Sequence, residues 1–439
     1  MRYFFLLLIL CGSAWVSCAE SGDTIRFAEI RNVYKSVSPT MASICRLPLA
    51  DRQTALFDLI RKGLYEGFPL IEADPLYEDY VFMTFVYVDS IHRYDIGFEV
   101  YGIYEEHRFG DRKLHRLDST NVYYRSYMVP DDICFSYRFI LTDTLTGQTQ
   151  KVTDPYNRNL TPTGERGRYR WSVLDLRPDE PDWYTKRYEE TGSRIDTLCM
   201  NSRILDNARN VYVYLPPGYD GTDRDYPVIY LFDSFIYLNR IEVPNVLDNL
   251  IHEQKLEPMV AIFIDNPTST SRDYELPMNP LFRDFMVQEL LPEIKNKYRI
   301  TGDPDRTIVG GMSYGGLAAA YLAFECDSIF GKVLSQSGGF WRDPDGKFLY
   351  ADNDRTDFLI NRFIREEKRN ISLFLDWGLQ EDMVLGANRK FVRVLDRLGY
   401  EFQWREFNGW HDWSNSRKTF PEGLLYLMNR GKNQKNENN

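Results

Sequence analysis

The stretch "RTIVGGMSYGGLAAAYLAF", Arg306 to Phe324, holds the pattern Gly311-Met312-Ser313-Tyr314-Gly315. Alone, Gly-x-Ser-x-Gly is a weak signal, since average residue usage yields roughly one chance match in seven chains of this length. Its neighbours strengthen it. A buried strand ends at about Val309, and an alanine-rich helix opens near Gly316. A serine between them sits on a sharp strand-to-helix turn, where the positions two before and two after must be small. The same turn aims Oγ over the carboxyl edge of a sheet. It also lies near the positive end of a helix dipole, which favours an oxyanion. The competing reading is a glycine-rich turn without chemistry, so a nucleophile at Ser313 needs a base and an acid elsewhere.

Working outward, the chain from about residue 196 alternates strand and helix. "NVYVYLPPGYD", "YPVIYLFD", "MVAIFIDNP", "RTIVGG", "GKVLSQSG", "ISLFLDWG" and "FQWREF" read as strands. "VPNVLDNLIHEQ", "LFRDFMVQELLPEIKNKYR", "GGLAAAYLAFE" and "NRKFVRVLDRLGY" read as helices between them. Short continuous apolar strands alternating with helices predict a parallel sheet covered on both faces. Upstream, "YVFMTFVYVD", "YDIGFEVYGIY", "VYYRSYMVP" and "CFSYRFILTDTLTGQTQKVTD" alternate with period two between Asp, Gly and Pro signals, which predicts an antiparallel sandwich. "DRQTALFDLIRKGLYEG" before it has helical spacing. The fold class is therefore α/β: an α/β-hydrolase catalytic domain at 196–430, preceded by an antiparallel, Ig-like β-sandwich at 24–185. The charged, Pro-rich "RPDEPDWYTKRYEETGSR" separates them, and the polar tail 431–439 is expected to be disordered.

Only five histidines are available as the base: His92, His107, His115, His252 and His411. The first three fall in the sandwich half. His252 lies on a helix before the serine, where a surface role is the simpler reading. His411, in "EFNGWHDWSNSR", follows the last strand, and the α/β-hydrolase order is Ser, acid, His. The acid should follow "ISLFLDWG". There Glu381 stands first, Asp382 second, and Asp376, inside the strand, third. An oxyanion hole would combine the backbone N–H of Tyr314 with one from the loop Asp233-Ser234-Phe235, at Ser234 or Phe235.

The bulk composition is consistent with an enzyme. A net charge of −11 argues against nucleic acid or an anionic membrane surface as partner. The N-terminus, "MRYFFLLLILCGSAWVSCAES", has a basic residue at Arg2 and an apolar run from Tyr3 to Leu10, which predicts an export signal at 1–19. Cleavage after Ala19 and a lipid anchor on Cys18 both fit, so the expected location is periplasmic or an outer-membrane lipoprotein of a bacterium. Cys45, Cys134, Cys199 and Cys326 show no metal-knuckle spacing and are expected as buried thiols. No metal or other cofactor is called for.

In "LFDSFIY", "SRDYELPMNPLF", "DRTIVGGMSYGGLAA", "FGKVLSQSGGFW", "GLQEDMVLGANRKF" and "GWHDW", the chain resembles the enterochelin (enterobactin) esterase family, which opens the trilactone of catecholate siderophores. "DPYNRNL" with "SVLDL" is similar to the end of that family's N-terminal β-domain. The resemblance implies Ser313 as nucleophile, His411 as base and Glu381 as acid. It departs at Asp233-Ser234, where the family usually has Asp-Gly, and in the export signal. Related exported esterases are similar to feruloyl and acetyl esterases of plant polysaccharide.

An anionic, aromatic substrate calls for cations and aromatic faces. Arg272 and Trp341 each follow a strand's carboxyl end, on the side where ligands bind in open α/β sheets. A salt bridge to Glu275 would occupy Arg272, and core packing would explain Trp341. Arg116 resembles a family position able to lean over the cleft. The leading reading is an exported serine esterase acting on a siderophore ester. A feruloyl or acetyl carbohydrate esterase is the alternative, and a non-catalytic siderophore- or glycan-binding protein is the rival from another class.

Overall fold

The computed structural model describes residues 31–33, 38–102, 112–162, 170–177, 188, 191–344 and 357–436 of the chain, with side chains through residue 429. The expected export signal, Cys18, His107 and most of the linker lie outside these residues.

The second half is built on an eight-stranded sheet. Its spatial order is Arg194–Ser202, Asn207–Leu215, Val260–Ile264, Val228–Phe232, Thr307–Met312, Lys332–Gln336, Ser372–Gly378 and Glu401–Phe407. The first two strands form a hairpin, and Asn207–Leu215 also pairs antiparallel with Val260–Ile264. Every later pairing is parallel, as crossovers through helices require. Val228 faces Val260 on one side and Thr307 on the other, so the chain reverses its direction of growth at the central strand. Central strands buried at every residue explain the continuous apolar runs in the sequence. One face packs on Phe285, Leu317, Phe363 and Phe391, and the other on Leu247, Phe420 and Leu424.

The first half is a sandwich. A five-stranded sheet runs Arg31–Val33, Val122–Pro130, Tyr80–Val88, Leu70–Ala73, with His115–Arg116 also on Val122–Pro130. The facing sheet joins Tyr94–Val100, Cys134–Asp143 and Thr149–Val152, with Ser172–Asp175 on Cys134–Asp143. Phe85, Phe98, Tyr127, Tyr137 and Phe139 fill the space between them. Helices Pro39–Arg46 and Leu49–Glu66 cover the outer side of the first sheet.

Several expectations change. The helix expected at 281–299 is two α segments, Pro280–Asp284 and Leu291–Lys297, joined by a wider π turn at Phe285–Leu290. Pro292 has no N–H for the α ladder, and a π turn accommodates the loss. Helix Trp413–Asn436 closes the fold and carries through most of the tail expected to be disordered. Pro421 and Gly423 hide it from a periodicity reading. Gly423 is required by packing, since a Cβ there would lie 2.5 Å from the Phe374 ring. The four described cysteines are free thiols, but only Cys134 is buried as expected: Cys45 and Cys326 are half-buried and Cys199 is exposed.

Every residue from Gly315 to Phe324 in the helix after Ser313 is buried, which is why its side chains are small or apolar all round. Strand and helix touch at Gly311, where a Cβ would meet the Gly315 carbonyl carbon at 2.5 Å. Gly386, on an exposed helix face, has open space instead. Gly311→Ala should therefore cost about 2–4 kcal/mol in urea denaturation. Gly386→Ala should gain up to ~1 kcal/mol.

Candidate active site

Ser313 takes φ 60° and ψ −120°, a strained conformation for a residue with a side chain. The turn is pinned on both sides: the Ser313 N–H donates to Gln336 O at 2.8 Å, and Ser313 O accepts from Gly339 N at 3.0 Å. Tyr314 opens the following helix. Strain gathers along this edge, because Asp233 and Ser337, each just past a neighbouring strand, also have positive φ, at 59° and 47°.

His411 lies in the loop between the last strand and the last helix. Its Nδ1 is 2.6 Å from Glu381 Oε2. The other oxygen of Glu381 accepts from Gly378 N and from Ser337 Oγ, both at 2.7 Å. Glu381 is buried, so these bonds hold a carboxylate that water does not reach. Asp382 is exposed as the first residue of helix Asp382–Arg397. Asp376 is wholly buried beneath the site, accepting from Ser337 N at 3.2 Å and Gln336 Nε2 at 3.3 Å. Burial pushes its pKa up to about 7.

Ser313 and His411 line one cavity of about 410 Å³. Tyr101, Phe235 and Trp413 give it aromatic walls, and Asp233 and Arg272 a polar one. Arg272 pairs with Asp233, through Nε at 2.6 Å and Nη2 at 2.8 Å, and not with Glu275. Glu275 instead holds the buried Arg209 at 2.9 Å. The Arg272 guanidinium also sits 5.6 Å from the Tyr314 ring centre. Ser234 opens helix Ser234–Asn239 and donates its hydroxyl to Asp265 at 3.0 Å, while the Phe235 side chain faces the cavity. Trp341 stands behind Tyr314, ring centres 6.2 Å apart, and is not part of the lining. Arg116 is also absent from the lining: its Nε donates to Thr120 O at 2.6 Å within the sandwich. His252 stacks on Tyr188 at 4.0 Å.

The sequence reading names neither Trp413 nor Tyr101 as a site residue, and Tyr101 comes from the sandwich. Its ring lies 4.1 Å from Trp413 and 5.2 Å from Trp171, and Arg138 covers Trp171 at 3.8 Å. The signal was the next residue. Gly102 has φ +74°, and a Cβ there would fall 2.1 Å from His411 O. Among the described residues no cluster of His, Cys, Asp and Glu could hold a metal ion, and no helix is long and apolar enough to cross a membrane.

Sheet order, elbow and site define a carboxylic ester hydrolase of the α/β-hydrolase class. Residues 202–427 match the sequence model of the Esterase family. The iron(III) enterobactin esterase of Escherichia coli O6:H1 is 30% identical over 282 residues, covering 63% of this chain and 68% of that protein. That of Dickeya dadantii is 28% identical over 404 residues, covering 82% and 90%. The crystal structure of the Shigella flexneri enterobactin esterase in the presence of enterobactin superposes with a TM-score of 0.69 at 25% identity, over 83% of this chain and 97% of the other. The chain belongs to the enterobactin esterase family.

The buried carboxyl of Asp376 has a consequence for stability. Its folded pKa, about 7, exceeds the ordinary value for an unfolded aspartate, so between about pH 4 and 7 the folded state holds more protons. Its stabilising contribution is complete below that window and is lost as pH rises through it. Asp376→Asn, which mimics the protonated form, should flatten this slope. The melting temperature of the variant relative to the parent should rise between pH 4.5 and 7.5.

Proposed function

We propose that the protein is an exported serine esterase opening the ester bonds of a catecholate siderophore of the enterobactin-like trilactone type. The observation that carries the reading is the 2.6 Å bond between His411 Nδ1 and Glu381, in a cavity that also presents Ser313. With Nδ1 committed to the carboxylate, proton transfer falls to Nε2. It takes the Ser313 proton as Oγ attacks the ester carbonyl, and Glu381 stabilises the imidazolium. The oxyanion forms at the N-terminus of helix Tyr314–Glu325, next to the Tyr314 N–H, with the second donor from Ser234 or Phe235. His411 then protonates the departing alkoxide, and water releases the acyl group by the same route. No metal or cofactor enters these steps.

The substrate class rests on the family and on the walls of the cavity. Tyr101, Phe235 and Trp413 offer faces for catechol rings, and Arg272 a cation beside them. The same aromatic walls suit a feruloyl ring, which is the second reading. Export rests on Arg2 and the apolar run Tyr3 to Leu10.

The deciding experiment incubates the protein with linear and cyclic catecholate trilactones, iron-loaded and iron-free, beside feruloylated and acetylated xylan fragments. Trilactone opening is expected, and turnover of xylan esters alone overturns the siderophore reading. Tight siderophore binding without turnover of any ester would establish the binding protein instead. Ser313→Ala should lower kcat by about 10⁴-fold or more. Trp413→Ala should raise KM for aromatic esters more than for acetate esters. Palmitate labelling that depends on Cys18 distinguishes a lipoprotein from cleavage after Ala19.

A further inference from the structure

We propose that the N-terminal sandwich positions the catalytic histidine, with Trp410 and Asp412 as its anchors. The inference rests on the catalytic reading of His411. The strand Glu401–Phe407 ends just before this loop and the last helix begins at Trp413, so His411 lies on a short connection. His411 faces Glu381, but both of its neighbours are held from the other half of the chain. Trp410 is 1% exposed and belongs to the sandwich core, packed edge-on against Phe135 with ring centres 5.3 Å apart. Asp412, equally buried, accepts from Ser136 N at 2.5 Å and from Ser136 Oγ at 3.2 Å.

The backbone repeats the pattern. Cys134 N donates to Asn408 O at 3.0 Å, and Asn408 Nδ2 reaches Asp132 at 2.5 Å. Asn415 Nδ2 bridges Cys134 O at 3.3 Å and Trp410 O at 3.1 Å. At Gly102 the end of the sandwich strand presses so close to His411 O that no side chain fits. The hydrolase half supplies Gln380 N to Gly409 O at 3.2 Å and the carboxylate of Glu381. The loop is thus clasped between two independently packed cores. Where the imidazole stands relative to Ser313 depends on where the sandwich sits. A misplacement of about 1 Å at such a group costs on the order of 100-fold in rate.

The test uses the full chain and a small chromogenic ester, p-nitrophenyl butyrate, so that siderophore recognition plays no part. Trp410→Ala and Gly102→Ala should each lower kcat by ~10–100-fold with KM within about 2-fold, at a temperature where near-UV dichroism shows the folded protein. The rate of Ser313 labelling by a fluorophosphonate should fall in parallel. Trp410→Phe should restore kcat to within a few-fold of the parent. Ser136→Ala, which leaves both cores filled, serves if the larger changes prevent folding, and should lower kcat several-fold. Folded variants with the parent's kcat and labelling rate overturn the inference. His411→Ala separates the two claims. If it keeps full activity, the catalytic reading fails. If it is inactive while the clasp variants are unaffected, the positioning role alone fails.

Discussion

At Gly311 and Gly316, on either side of the serine turn, the backbone packs so closely that no side chain fits. A Cβ at Gly316 would meet Ser335 Oγ at 2.6 Å, as one at Gly311 would meet Gly315. That contact leaves Ser313 a single way through the turn, at positive φ, with its side chain lifted over the sheet edge. The strain persists because the surroundings over-determine it: Gln336 and Gly339 hold the Ser313 backbone, and the helix beyond is buried on every side. The central strands and the two helical layers keep this junction in place. The loops at the same edge then bring the remaining groups to it.

Those loops belong to different parts of the chain. Glu381 comes from the end of one strand, His411 from the end of the next in space, and Tyr101 from the other half of the molecule. Glu381 spends one oxygen on Gly378 and Ser337, which fixes the direction of the other toward His411. A carboxylate with three protein donors and little water orients an imidazole far better than an exposed one. Asp382 and Asp376 illustrate the alternatives. The first is exposed on a helix, and the second lies wholly buried below the site, where loss of water favours its protonated form.

Much of the fold is legible from periodicity. The runs "YPVIYLFD", "MVAIFIDNP" and "ISLFLDWG" announce central parallel strands, because burial on both faces removes polar residues. The alternating runs between Tyr80 and Asp143 announce a sandwich, because each strand keeps one face on the core. Periodicity fails where one residue contradicts its neighbours for a packing reason. Pro421 and Gly423 conceal the last helix; helical spacing that runs on through Pro292 conceals the π turn. Of the candidate site, Ser313 is legible from local sterics and His411 from chain order and elimination among few histidines.

The sequence by itself determines the alternation of strands and helices, the strained serine turn and the histidine that follows the last strand. The first two are written in local runs of residues, and the third in the order of the chain and its small number of histidines. Tertiary structure decides which carboxylate meets His411, that Arg272 pairs with Asp233 rather than Glu275, and that Trp410 fills the sandwich core. It also decides that Tyr101 lines the cavity while Arg116 and Trp341 do not. These outcomes depend on loops from distant strands meeting within hydrogen-bond distance. Sheet register and the docking of two cores set those distances, and no local pattern encodes either.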